Sequence, residues 1–224
     1  MTIPHIPGPG TPAARHCPVS DLARFLRAWA AAPLQIAAIA PSGAALARLI
    51  TSEIDMGHAP IGEFGPGTGV FTRALLSRGI APADLALVEL DTGLAAHLRT
   101  RFPAVRIFRG DAAKVDLGHV FGTAKAGAAV SGLGLLSMPP RTVAAILENA
   151  FAGLRAGGHF YQFTYGPRCP VPGSVLNRLG LEARYIGGTW RNLPPASVYR
   201  IGRRGADAQT RTATVPKLKA GTSE

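Results

Sequence analysis

Residues 61–71 read IGEFGPGTGVF, with three glycines at alternate positions, Gly65, Gly67 and Gly69, just after the acidic Glu63. Such a turn brings bare backbone against a ligand that side chains would hold off. It is not the dinucleotide loop Gly-x-Gly-x-x-Gly, because Val70 and Thr72 stand where its third glycine would fall. The closer spacing suits a ligand without a pyrophosphate. Glu89 follows 20 residues after Gly69, at the end of the apolar run LALVEL. An acid there accepts hydrogen bonds from both hydroxyls of a ribose. Asp111, in RGDA, offers a short carboxylate to an amino group of adenine; alternatively it only shapes a turn. Loop, Glu89 and Asp111 together outline a nucleoside pocket at the carboxyl ends of strands.

Those ends have to be supplied by regular elements. Strands are expected at 60–64, 85–90, 104–108, 126–133 and 159–165, and helices at 69–78, 92–101 and 141–154, with RAGG at 155–158 closing the last helix. EARYIGG and SVYRIGR flank a proline-rich turn, WRNLPP, as a terminal hairpin. The alternation predicts an α/β fold: a doubly wound, mostly parallel, seven-stranded Rossmann-like sheet with a C-terminal antiparallel hairpin and N-terminal helices. The expected organisation is an N-terminal region 1–57, a ligand-binding domain 58–202 and a basic, disordered tail 203–224.

The 224 residues suffice for one sizeable core. The formal net charge of +11 favours a polyanionic partner, nucleic acid or anionic lipid, without separating the two. Cys17 and Cys169 make no disulfide framework and read as reduced cytosolic thiols. No secretory signal opens the chain, and no metal-ligand cluster stands out. Ala28–Ala47 is uncharged but alanine-rich and interrupted by Pro33 and Pro41, which argues against a membrane span. Before it, SDLARFLRAWAAAP predicts a helix capped by Ser20, with Leu22, Phe25, Leu26 and Trp29 on one face and Arg24 and Arg27 off that stripe. Such a helix either packs on the core or lies in a bilayer interface.

EFGPGTGVF, VELD and GDA resemble the class I S-adenosylmethionine-dependent methyltransferases, including those that dimethylate ribosomal RNA adenines. By that resemblance Glu63, Phe64, Gly65, Pro66, Gly67, Thr68, Gly69 and Val70 approach the methionine part of the cofactor. Glu89 and Leu90 then meet the ribose, Asp111 and Ala112 the adenine, and Ser131 also borders the cofactor. The RNA enzymes carry Asn-Leu-Pro-Tyr or a close relative after the fourth strand, whereas this chain has SGLGLLSMPP from Ser131. A flipped adenine would lack its amide and aromatic contacts there.

The wider pattern resembles the bacterial phospholipid N-methyltransferases, through FLRAW, IAAIAPSGAALA, VSGLGLLSMPP, QFTYGPR and WRNLPPASV; Gly134 stands where that family usually has proline. The resemblance implies stepwise methylation of phosphatidylethanolamine towards phosphatidylcholine, with S-adenosylhomocysteine as by-product. It implies that Ile39, Pro41 and Ser42 cover the cofactor. Ser131, Gly132, Leu133 and Tyr165 are the expected catalytic positions. Tyr165 also suits the growing quaternary cation, while Arg168, Arg191 and Asn192, with Trp190, hold the phosphodiester. A lipid substrate strengthens the interfacial reading of Leu22–Trp29. The expectation is a cytoplasmic monomer, peripheral on the anionic inner face of the membrane and without a nucleic-acid partner. Alternatives are another amine acceptor, such as an ornithine lipid or a small molecule, or an RNA-binding relative of the adenine dimethylases.

Overall fold

The computed structural model describes residues 41–115, 120, 121, 124–190 and 195–205. The expected interfacial helix around Leu22–Trp29, together with Ile39, Arg191 and Asn192, lies outside these residues.

Seven strands form one sheet: β1 (Ile61–Phe64), β2 (Leu85–Glu89), β3 (Arg106–Arg109), β4 (Ala126–Ser131), β5 (Leu154–Tyr165), β6 (Leu181–Thr189) and β7 (Ala196–Arg203). Their order is β3-β2-β1-β4-β5-β7-β6. The first five run parallel, and β7 enters antiparallel between β5 and β6. The predicted fold class is therefore the observed one. β1, β2 and β4 are buried at every position, as strands covered by helices on both faces must be, and they read as apolar or small-residue runs broken by Glu63 in β1 and ended by Glu89 in β2.

Helices α1 (Pro41–Ile50), α2 (Val70–Ser77) and α3 (Thr92–Arg101) cover one face, through Leu46, Ile50, Phe71, Leu75 and Leu98. On the other face, α4 (Pro140–Gly153) and α5 (Gly173–Arg178) pack through Val143, Leu147, Phe151 and Val175. Pro41 and Pro140 occupy first-turn positions of α1 and α4, where the missing amide hydrogen costs nothing.

Two elements differ from expectation. RAGG does not close α4 as a loop: α4 ends at Gly153, and β5 is hydrogen-bonded from Leu154 onward. The two glycines ride through a register irregularity opposite Ala126 and Ala128. The short α5 was not anticipated, because it lies in a proline- and glycine-rich stretch, where Pro172 acts as its N-cap.

Candidate functional site

The glycine turn joins β1 to α2 at the carboxyl edge of the sheet. Gly65, Gly67 and Gly69 all adopt left-handed backbone, with φ of 62°, 57° and 79°. A side chain at Gly65 would strike Leu133, and one at Gly69 would strike Phe102. At Gly67 an added Cβ would meet none of the described residues within 4 Å, which leaves room beside the turn. The turn is held from behind. Arg101 donates to the Thr68 carbonyl (2.9 Å), and the Gly69 amide donates to Pro66 (2.9 Å).

Two carboxylates frame this turn. Glu89, almost fully buried, accepts from the Gly67 amide (3.1 Å) and from the Asp91 amide (3.0 Å). It therefore ties the glycine turn to the start of α3, whose cap is Asp91. A carboxylate has about four acceptor positions, so two remain for a diol. Glu63 is wholly buried and accepts from the Thr72 hydroxyl (2.7 Å), while its Oε1 has no partner among the described residues. Burial raises the Glu63 carboxyl to about 7, partly opposed by the Thr72 bonds and assisted by the negative charge of Glu89. An orphaned acceptor beside an open backbone turn fits a ligand carrying a cationic nitrogen.

Asp111 lies just beyond β3, where its Oδ1 accepts from the Ala113 amide (2.9 Å) and its other oxygen is 3.9 Å from Lys114. It shapes the turn and stays half-exposed at the same edge. Leu90, 69% exposed, projects from the end of β2. Pro41 and Ser42 lie in the first turn of α1.

The loop after β4 crosses the glycine turn at close quarters. The Gly132 amide donates to the Phe64 carbonyl (2.8 Å), and a Cβ at Gly132 would stand 2.3 Å from the Gly65 carbonyl oxygen. Ser131 is buried, and its hydroxyl accepts from the Leu133 amide (3.3 Å). Gly134, with φ −78° and ψ 66°, forms an inverse γ-turn closed by the Leu135 amide on the Leu133 carbonyl (3.0 Å). The same carbonyl receives the Gln162 amide group at 2.9 Å. Both lone pairs of Leu133 O are thus occupied, and the loop is locked from β5.

Tyr165 ends β5 and borders a cleft with Leu133, Gly134, Leu135, Leu136, Phe163, Thr164 and Pro170. Its ring meets Phe163 edge-on at 5.4 Å, and burial raises its hydroxyl above the ordinary tyrosine range. That phenol stays protonated at neutral pH, so it is no ready base. Arg168 is exposed on the following loop, whose Pro167 carbonyl accepts from the Tyr199 hydroxyl of β7. Thr189 and Ala196 lie in register with Tyr165. This brings Trp190, 88% exposed, to the same edge. The structure thus gathers Glu63–Gly69, Glu89, Ser131–Leu133, Tyr165, Arg168 and Trp190 on one side of the sheet.

Thr72, Gln162 and Tyr199 were not singled out from the sequence. Gln162 lay within QFTYGPR, which was a usable signal; Thr72 and Tyr199 carry none, since their partners are remote in sequence. Among the described residues, no cluster of His, Cys, Asp and Glu could hold a metal, and no helix is long and apolar enough to cross a membrane.

No protein-family model matches the chain. Over 58 residues, 25% of the chain, it is 52% identical to the ribosomal RNA small subunit methyltransferase A of Methylococcus capsulatus, a match spanning 21% of that protein. Over 64 residues, 28% of the chain, it is 42% identical to the same enzyme from Parabacteroides distasonis, covering 23% of its length. The match therefore spans between a fifth and a quarter of these relatives. Among solved structures, the TehB-like SAM-dependent methyltransferase of Corynebacterium glutamicum superposes with a TM-score of 0.56 at 21% identity, covering 83% of this chain and 100% of that one. The 1,6-didemethyltoxoflavin-N1-methyltransferase of Burkholderia thailandensis, solved with S-adenosylhomocysteine, gives 0.54 at 15% identity over 88% and 94%. The glycopeptide N-methyltransferase MtfA, complexed with SAM, gives 0.54 at 15% over 72% and 94%. The chain has the Rossmann-like fold of these methyltransferases, closed by an antiparallel β5-β7-β6 end.

Proposed function

We propose that the protein transfers methyl groups from S-adenosylmethionine to the amine of phosphatidylethanolamine and of its partly methylated products. The observation that carries the cofactor half is the orphaned Glu63 Oε1 on the strand leading into the glycine turn, together with the room at Gly67 and Glu89 bridging the turn to α3. Glu63 would meet the amino-acid ammonium of S-adenosylmethionine, Glu89 the ribose hydroxyls and Asp111 the adenine. Bound there, the cofactor supplies an electrophilic methyl carbon on a sulfonium.

The chain's own contribution is alignment and exclusion of water, which suffice when the leaving group is already good. The loop locked by Gln162 and the ring of Tyr165 wall a largely apolar cleft. Among the described residues, no acid or cation lines it. An amine entering such a cleft does so uncharged, having left its proton in water, because burial penalises the ammonium. Tyr165 offers a π-face to the cation that the last transfer creates. Arg168 and Arg191 are assigned to the phosphodiester, with Asn192 and Trp190 sharing that role. Leu22–Trp29 is assigned to the anionic membrane surface.

A second reading, methylation of an RNA adenine, is favoured by the local identity to the ribosomal RNA enzymes. It is disfavoured by Gly132–Leu135, which offer neither an amide side chain nor an aromatic ring to a flipped base. One experiment separates the two readings: incubation with methyl-labelled S-adenosylmethionine, a total lipid extract and total RNA, followed by thin-layer separation of the lipids. Label in mono-, di- and trimethylated phosphatidylethanolamine is expected. Label in RNA alone would reverse the assignment.

A further inference from the structure

The polar atoms behind the acceptor cleft are not all satisfied. Gln162 is fully buried, and its Nε2 donates to the carbonyls of Leu133 (2.9 Å) and Phe163 (2.7 Å). Two carbonyl partners fix which end of the amide is nitrogen, and Oε1 is left without a donor. Two residues on, along the same face of β5, Thr164 is 3% exposed and its hydroxyl has no partner either. Thr164 lines the cleft that Tyr165 and the Leu133–Leu136 loop enclose, and among the described residues every other one lining it is apolar, aromatic or glycine. Leu133 O cannot serve an incoming group, since Leu135 and Gln162 already fill it. A buried hydroxyl left open at the wall of an apolar cleft is a position waiting for a hydrogen-bonding ligand.

We infer that the Thr164 hydroxyl accepts an N–H hydrogen of the methyl-accepting amine, turning the nitrogen lone pair towards the methyl donor. This rests on the proposed amine methylation and adds to it the residue that grips the amine. The assignment has a consequence that a packing role lacks. A neutral primary or secondary amine has an N–H to give; a tertiary amine has none. Thr164 therefore assists the first and second methyl transfers and is indifferent to the third.

The test uses the full chain with vesicles of phosphatidylglycerol containing phosphatidylethanolamine, its monomethyl form or its dimethyl form, and labelled S-adenosylmethionine. Thr164→Val should lower kcat/KM about 10-fold on the first two lipids and leave the third within about twofold of wild type. Thr164→Ser should restore the first two. Calorimetric affinity for S-adenosylhomocysteine should be unchanged in both variants; should Thr164→Val lose it, Thr164→Ala carries the same comparison. Equal losses on all three lipids would make Thr164 a packing residue and overturn the assignment, as would no loss on any. A wild-type protein that methylates none of them overturns the lipid reading itself, a result visible before any variant is made.

Discussion

The Thr72 hydroxyl lies 2.7 Å from one carboxylate oxygen of Glu63, and the other oxygen of that buried carboxylate has no partner. Glu63 is consequently held to about 7 against an unperturbed 4.5, with burial as the main cause. An acid whose folded value is raised binds its proton more tightly in the native state. Its contribution is complete below pH 4.5 and is lost as pH rises through about 7. Glu63→Gln, which mimics the protonated form, should match wild type at pH 4 and exceed it by about 3 kcal/mol at pH 8. Urea unfolding of both proteins across that range checks this. A constant difference would contradict the burial account.

The same carboxylate couples pH to ligand binding. If a cationic nitrogen takes up Glu63 Oε1, binding expels the proton. Titration calorimetry with S-adenosylhomocysteine near pH 7, in buffers of different ionisation enthalpy, should show a fraction of a proton released. Glu63→Gln should release none and bind about 10–100-fold more weakly.

Gly67 and Gly132 separate ligand room from folding. Gly67→Ala pays only the cost of left-handed backbone, about 1–2 kcal/mol, yet places a methyl group in the open side of the turn. It should remain folded while losing most of its affinity for S-adenosylhomocysteine. Gly132→Ala drives a Cβ into the Gly65 carbonyl at 2.3 Å. Overpacking of that kind costs about 1–3 kcal/mol and should lower the urea midpoint and the affinity together.

Tyr165→Phe keeps the ring and removes a hydroxyl that burial holds protonated. Methyl transfer should therefore stay within about threefold of wild type, whereas Tyr165→Leu should slow the final, quaternising step most. Arg168→Ala should raise KM for lipid and leave the affinity for S-adenosylhomocysteine as it was. Product ratios on thin-layer plates read out the first pair, and vesicle-concentration series the second.

Phe25→Ala combined with Trp29→Ala addresses the segment ahead of α1. Binding to anionic vesicles in a flotation assay should fall, with ligand affinity nearly unchanged. Parallel loss of both would identify the segment as core.

The cofactor side of the edge was legible because backbone-level needs are written in residue type. Gly65, Gly67 and Gly69 announce positive φ, and Glu89 and Asp111 announce strand ends. The doubly wound, mostly parallel sheet followed from the alternation of apolar runs with helical ones. The acceptor side was less legible. Gln162 and Thr164 lie in a strand buried on both faces, where period-two reading is silent about which polar atom meets a loop 29 residues earlier. Thr72 looks like any helix residue until its hydroxyl is found on Glu63. Glycines after α4 suggested a stop, but pairing of Leu154 with Ala126 begins the strand before the glycines are reached.

β7 sits between β5 and β6 although it follows both in the chain. During synthesis, the glycine turn, Glu89 and the loop after β4 can therefore assemble while the acceptor wall is still a pair of unjoined strands. Only when Ala196–Arg203 leaves the ribosome can the gap be zipped and the Tyr199 hydroxyl reach Pro167. A nascent chain would acquire its donor pocket first and its choice of recipient last.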